Sequence, residues 1–248
     1  MMIEIGSALD PGRKRLNGEN QDSLNVVQPD DLHDGHPVLL VIADGMGGYD
    51  GGAIASRLVV QEMTFAFQTA AWNSAPLSAL QAGVSASLYS LQKLARQSNY
   101  LSRMGSTVVA AVLEEGTISL LNVGDSRAYL INQSGIRQIS YDHSLVAEQL
   151  RQGLINESEA RIHPRRNVLS MAISVQRDWI DPFTAEVEWH PGDVLVLCSD
   201  GLWGPVAEEH IQSTVLELPP DQAAQRLVDL ANANLGPDNI AVIVARLS

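Results

Sequence analysis

The chain has 248 residues, of which 45% are hydrophobic, and a formal net charge of −13. That length can bury a sizeable core, while the acidic balance argues against nucleic acid or an anionic membrane as the main partner, because both reward clustered positive charge. A phosphorylated partner stays open if cations are supplied locally, and the one cysteine, Cys198, rules out an internal disulfide and suits a reducing compartment.

The N-terminal MMIEIGSALD lacks the basic start and long apolar stretch of a signal peptide. No run reaches the roughly 20 apolar residues of a membrane span, so a cytoplasmic protein is expected. Short runs rich in Val, Ile and Leu and bounded by turn residues read as strands. IEIGSAL, SLNVV and PVLLVIA come first, STVVAAVL, TISLLNV and RAYLI follow between residues 105 and 141, and VLVLC and IAVIVARL come last. The close succession of the middle three favours antiparallel hairpins over crossovers. Between residues 53 and 98, Ala55, Leu58, Val59, Met63 and Phe67 keep the three- and four-residue spacing of an amphipathic helix. Leu77, Leu80, Val84, Leu88, Leu91 and Ala95 mark a second one. Residues 142–182 are polar, broken and Arg-rich and read as an inserted surface segment. A further helix is predicted from Pro220 to Asn234, with Leu227 and Leu230 inward. With no repeat, low-complexity tract or long linker, residues 1–248 read as one α+β domain, sheets in the middle and helices outside.

The acids fall in a pattern. LLVIAD ends in Asp44, SLLNVGD in Asp125 and VLVLCSD in Asp200, and Asp238 stands immediately before the last strand in GPDNIAVIV. Asp-Gly is a common hairpin signal, so Asp44-Gly45 and Asp200-Gly201 can each be read as plain turns, and Asp238 as an ordinary turn residue. Four acids with one relationship to apolar strands suggest a shared rim instead. Carboxylates gathered without compensation repel and resist ionisation. Divalent cations relieve this, and oxygen ligands with no nearby His or Cys suit Mg2+ or Mn2+ over Zn2+.

Other chemistries fit poorly. A cysteine phosphatase needs an arginine six residues after its nucleophile, where Cys198 has Gly204, and an apolar strand suits a buried structural thiol. The six histidines lack HxxxH or paired spacing, His143 and His163 reading as surface or loop residues, and no G-x-S-x-G elbow occurs. The glycine cluster in DGMGGYDGG is not a P-loop, because the chain's two lysines, Lys14 and Lys93, lie elsewhere. Nor is it the dinucleotide fingerprint, since Asp50 occupies the third glycine position counted from Gly45. Glycines beside an acid can instead let a hydrated cation and a phosphate approach the backbone.

The stretches ENQDSL (19–24), VIADGMGGYDGG (41–52), MGSTVVAAVL (104–113), NVGDSRAYLI (122–131), YDHSLV (141–146), LCSDGLWG (197–204) and GPDNIAVIV (236–244) occur in this order. In them the chain resembles the bacterial metal-dependent protein phosphatases of the PPM family (protein phosphatase 2C type) over nearly its whole length. The resemblance implies a central β-sandwich of two mainly antiparallel sheets flanked by helix pairs, with two Mg2+ or Mn2+ ions at one end. By motif match, Asp44 would bridge both ions, the Gly45 carbonyl would ligate one, and Asp200 and Asp238 would complete the second site. Asp22 would hold metal-bound waters, and a third ion would be associated with Asp125 together with Asp200. It also implies hydrolysis of phosphoserine and phosphothreonine in kinase-targeted phosphoproteins, by water and without a covalent intermediate. A non-catalytic binding module on the same fold would lack metal acids that are all present here.

The chain also departs from the family pattern. The phosphate-binding arginine is expected five residues before Asp22, where Asn17 stands. Arg15 and Arg13 are nearest, and a longer loop that keeps its end point favours Arg15, with a solvated basic turn as the alternative. Met46 occupies the place of a histidine proposed as general acid in eukaryotic relatives, so protonation of the leaving group would fall to water. Tyr49 and Ala53 replace a frequent His and Glu and carry no assigned role. Residues 142–182 correspond to the family's flap, in which Arg161, Arg165 and Arg166 either recognise acidic or phosphorylated peptides or are simply solvated. A monomer is expected.

Overall fold

The computed structural model describes residues 3–15, 19–28, 37–47, 51–70, 75–97, 101 and 103–248. The first half comprises β1 (Ile3–Asp10), β2 (Asp22–Val27), β3 (Val38–Met46), α1 (Gly51–Thr69) and α2 (Pro76–Ala95). There follow β4 (Gly105–Ser106), β5 (Val108–Glu114), β6 (Thr117–Val123), β7 (Arg127–Asn132), β8 (Gly135–Gln138), α3 (Leu145–Arg151) and α4 (Glu157–Ile162). The remainder is β9 (Ile173–Ser174), β10 (Phe183–Glu188), β11 (Val194–Cys198), α5 (Asp200–Trp203), α6 (Glu208–Glu217), α7 (Pro220–Ala233) and β12 (Ile240–Leu247).

The strands form two antiparallel sheets. One has the order β1-β12-β11-β7-β8, and the other β10-β6-β5-β3-β4-β9 with β2 on the far side of β3. Each central strand buries both faces, which is why the sequence shows continuous apolar runs instead of alternation. On β3, Val38, Leu40 and Ile42 point between the sheets, while Leu39, Val41 and Ala43 face α1 and α2. On β12, Ala241, Ile243 and Ala245 point between the sheets, and Ile240, Val242 and Val244 face α6 and α7. The result is four layers, helix pair, sheet, sheet, helix pair, as the α+β reading expected.

All eight apolar runs are strands, and the helical stripes meet the sheets as their spacing predicts. Val59, Met63, Leu80, Val84, Leu88 and Leu91 are buried, with Leu58, Phe67, Leu77 and Ala95 packed around them. The structure adds α6, whose inward face is only Ile211, Thr214 and Val215 and so gives a weak periodic signal. It also adds the half-exposed edge strand β10. The expectation for residues 142–182 needs correction. The segment carries α3, α4 and β9, and its first residues, Asp142, His143 and Ser144, are buried. His143 is not a surface residue, because its Nδ1 accepts from the Gly124 amide at 3.2 Å while its own amide donates to the Gly124 carbonyl at 2.9 Å.

Trp189 sits in the core between the sheets, with none of its surface exposed and Nε1 donating to the Glu114 carbonyl at 3.2 Å. Trp189→Ala is expected to lower unfolding free energy by about 3–5 kcal/mol with the urea m-value unchanged. A loss below about 1 kcal/mol in urea titration contradicts this packing, since surface substitutions cost less than that.

Candidate metal centre

Asp22 opens β2 and lies directly opposite Asp44 near the end of β3. Directly opposed residues in an antiparallel pair share a face. That face is the inner one, since Leu24 and Ile42 two residues along also point between the sheets. On the other side of β3 stands Thr107. The Asp44 amide donates to Thr107 Oγ1 at 3.0 Å, and the Asp44 carbonyl accepts from the Thr107 amide at 2.8 Å and from Ser106 Oγ at 2.9 Å. Thr107 Oγ1 also shares a hydrogen bond with Ser126 Oγ at 2.7 Å. Beside it Gly124 turns the chain with φ +103°, and a Cβ there would lie 2.5 Å from Thr107 Cγ2. This tight corner delivers Asp125 to the same end of the sandwich.

The opposite sheet supplies the remaining acids. Ser199 Oγ accepts from the Ala241 amide at 3.0 Å and donates to Asp22 Oδ2 at 2.6 Å, joining the two sheets. Asp200 follows at once as the first residue of α5. Asp238 precedes β12, and its neighbour Asn239 donates from Nδ2 to the Pro11 carbonyl and accepts at Oδ1 from the Gln21 amide, both at 2.8 Å. The Gln21 carbonyl in turn accepts from the Gly45 amide at 3.0 Å. A Cβ on Gly45 would lie 2.0 Å from the Gly52 carbonyl oxygen, so these glycines let the first turn of α1 rest directly on β3. The helix begins at Gly51, earlier than its apolar stripe suggested.

Arg15 follows the turn at Gly12, its amide donating to the Gly12 carbonyl, and its Nη2 donates to Asp238 Oδ2 at 2.9 Å. Arg13 instead donates its amide to Asn232 Oδ1 at 3.2 Å. Asn17, Tyr49 and Asp50 lie outside the described residues, as does the side chain of Arg161. Ala53 is buried in α1, Met46 is half-buried at the end of β3, and Arg165 and Arg166 are exposed. Cys198 is buried in β11, where burial pushes its thiol up to about 12, so it is protonated at neutral pH. Sequence reasoning missed Ser199, Thr107 and Asn239. Two of them directly adjoin a strand-end aspartate, which is the signal that could have drawn attention to them.

Electrostatically the acids form one unit. Burial, followed by the charges of Asp200 and Asp238, holds Asp22 up at about 7 despite the hydrogen bond from Ser199. Asp44 is raised well above the usual carboxylate range by burial and then by Asp22, Asp200, Asp125 and Asp238. Burial and then Asp200 push Asp125 up to about 8, and burial and then Asp238 push Asp200 up to about 6. Among the described residues no three Asp, Glu, His or Cys side chains close into a ready-made metal cage. The set that gathers is open and oxygen-only, which fits a divalent cation that keeps several waters, Mg2+ or Mn2+. The unrelieved repulsion is what such a cation would remove.

The Protein phosphatase 2C family model matches residues 13–232. The serine/threonine phosphatase stp of Listeria innocua is 33% identical over 236 residues, spanning 94% of this chain and 92% of that protein. The crystal structure of the Mycobacterium tuberculosis serine/threonine phosphatase PstP/Ppp matches with a TM-score of 0.89 and 30% identity, covering 100% of both chains. The PstP catalytic domain in complex with two manganese ions matches with a TM-score of 0.85 and 29% identity, covering 99% of each chain. In sequence over most of its length and in fold throughout, the chain belongs to the Protein phosphatase 2C family and is a metal-dependent serine/threonine protein phosphatase.

Proposed function

We propose that the reaction takes place at the rim of Asp22, Asp44, Asp125, Asp200 and Asp238, where two Mg2+ or Mn2+ ions are held and water hydrolyses phosphoserine and phosphothreonine without a covalent intermediate. The observation that carries this reading is the gathering of carboxylates from both sheets at one end of the sandwich, coupled so that burial and repulsion oppose their ionisation. The relative solved with two manganese ions supports it.

Asp44 stands at the centre, between Asp22 on one strand and Thr107 on the other, and is the residue suited to bridge two ions. The Gly45 carbonyl would hold the first ion, and Asp200 and Asp238 would hold the second. Asp22, its Oδ2 fixed by Ser199, orients water around them. Asp125 with Asp200 would hold a third ion. When bound, the cations would supply positive charge against the phosphoryl oxygens and lower the pKa of water toward neutrality. Arg15, half-exposed at the rim, turns its guanidinium from Asp238 to the substrate phosphate, a geometry arginine suits. Met46 offers no proton, so the leaving group takes one from water. The 142–182 segment acts as a flap beside this rim. Among the described residues no helix is long and apolar enough to cross a membrane. The reading is completed by a monomer in the cytoplasm that acts on phosphoproteins made by a Ser/Thr kinase.

Asp44→Asn and Asp200→Asn are each expected to cut metal-dependent phosphopeptide hydrolysis by more than the ~10–100-fold typical of an outer-shell partner, with unchanged circular dichroism. A native rate in either variant contradicts the assignment. Arg15→Ala is expected to raise KM for a phosphopeptide by about tenfold, the loss of a charge-assisted hydrogen bond, with kcat less affected. An unchanged KM removes Arg15 from the phosphate site.

The raised carboxyls also set a pH dependence. Without metal, these acids keep protons that the unfolded chain, with carboxyls near 3.8, has already released. The folded state therefore binds more protons, and stability falls as pH rises through the window from that value to the folded ones of about 6 to about 8. In EDTA the urea midpoint should fall across this window. With saturating Mn2+ the fall should vanish and protons should be released on binding. A midpoint in EDTA that rises through the window contradicts the coupled cluster.

A further inference from the structure

Asp142, in the YDHSLV stretch, has no place in the chemistry above, yet it is buried and fully committed. Its carboxylate accepts from Arg127 Nε at 3.0 and 3.2 Å, from Arg127 Nη2 at 2.7 Å and from Gln138 Nε2 at 2.7 Å. Arg127 lies two residues after Asp125. Its remaining nitrogen, Nη1, donates to the Tyr129 hydroxyl at 3.0 Å, and its Cζ sits 3.7 Å from the centroid of the Trp203 ring. Trp203 closes the short helix that Asp200 begins, and its Nε1 donates to the Asp125 carbonyl at 3.0 Å. A guanidinium within electrostatic reach of Asp125 thus has all three nitrogens engaged elsewhere. The charges of Arg127 and Asp142 act on Asp125 with opposite signs.

Arg15 pairs with Asp238 from the half-exposed rim and has room to swing away, but a mostly buried arginine beside a carboxylate that is to receive a cation has no such exit and must be held off it. We infer that Asp142 is a positioning residue that holds Arg127 away from Asp125 and cancels its charge, leaving Asp125 free for a divalent cation. This rests on the reading of Asp125 as a cation ligand. The pairing has the form the task needs. Parallel N–H bonds to one carboxylate fix the plane of the guanidinium, and the Trp203 ring supports its face. A buried ion pair adds little to stability over an apolar pair of the same shape, so placement is its better-supported use.

A merely structural tie between β7 and the start of the 142–182 segment would make the same contacts, but the two roles differ in sign. If Asp142 restrains a stray positive charge, Asp142→Asn weakens the Asp125-dependent step of Mn2+ binding while Arg127→Gln leaves it native or tighter. If the pair is structural, both substitutions weaken it. The test is calorimetric Mn2+ titration of the whole chain, with near-ultraviolet circular dichroism reporting the fold. Asp142→Asn is expected to weaken that step by about tenfold or more, and the double variant to return within about threefold of native, because no uncancelled charge remains. Native binding in Asp142→Asn, weakened binding in Arg127→Gln, or failure of both single variants to fold overturns the inference. Asp125→Asn separates the two levels. If it binds Mn2+ like the native chain, Asp125 is no ligand and both readings fall. If it loses a binding step that Asp142→Asn keeps, only the role of Asp142 falls.

Discussion

Everything at the rim depends on holding carboxylates from two separate sheets within electrostatic reach of one another before any cation arrives. Such groups repel, and burial makes their ionisation costlier still, so the scaffold has to supply the force that keeps them together. The Ser199–Asp22 hydrogen bond is the most direct instance. It crosses from one sheet to the other at 2.6 Å, and the same Ser199 oxygen is fixed by the Ala241 amide. The inter-sheet core behind it, with Leu24, Ile42, Leu197 and Ala241 on its two walls, keeps the strands at the spacing the bond requires.

The rest of the site is organised through backbone. Asp44 is clamped on both sides, by register with Asp22 and by paired hydrogen bonds with Thr107. Asn239 ties the ends of β1 and β12 to the residue before Asp22. The acids therefore stand on strand ends and tight corners, not on long loops, and rigid elements of that kind hold side chains more precisely than loops do. The half-exposed Arg15 pairs with Asp238 at the outer edge of the site.

Much of the fold was legible in the sequence because burial on both faces turns strands into unbroken Val, Ile and Leu runs, and because α1 and α2 have wide apolar stripes. What escaped notice follows from weak or non-local signals. The α6 helix buries three positions, and β10 is an edge strand with polar residues on its outer side. His143 does lie in a loop, but a buried one, because its burial comes from the Gly124 corner, which no local pattern announces. At the site, the strand-end aspartates were visible one by one, but the plain-turn reading of each could be set aside only by their convergence. The bond between Ser199 and Asp22 spans 177 positions and cannot be read locally. The pairing of Arg15 with Asp238 likewise spans 223 positions, so no local count could separate Arg15 from Arg13.

The central claim is that the rim around Asp44 is where the catalytic cations reside. The most direct measurement is anomalous diffraction at the manganese absorption edge from crystals of the chain grown with Mn2+. Two strong peaks within coordination distance of the Asp44 carboxylate, one also beside the Gly45 carbonyl and the other beside Asp200 and Asp238, are predicted. Manganese bound elsewhere, with no peak beside Asp44 in crystals of active protein, would contradict the account.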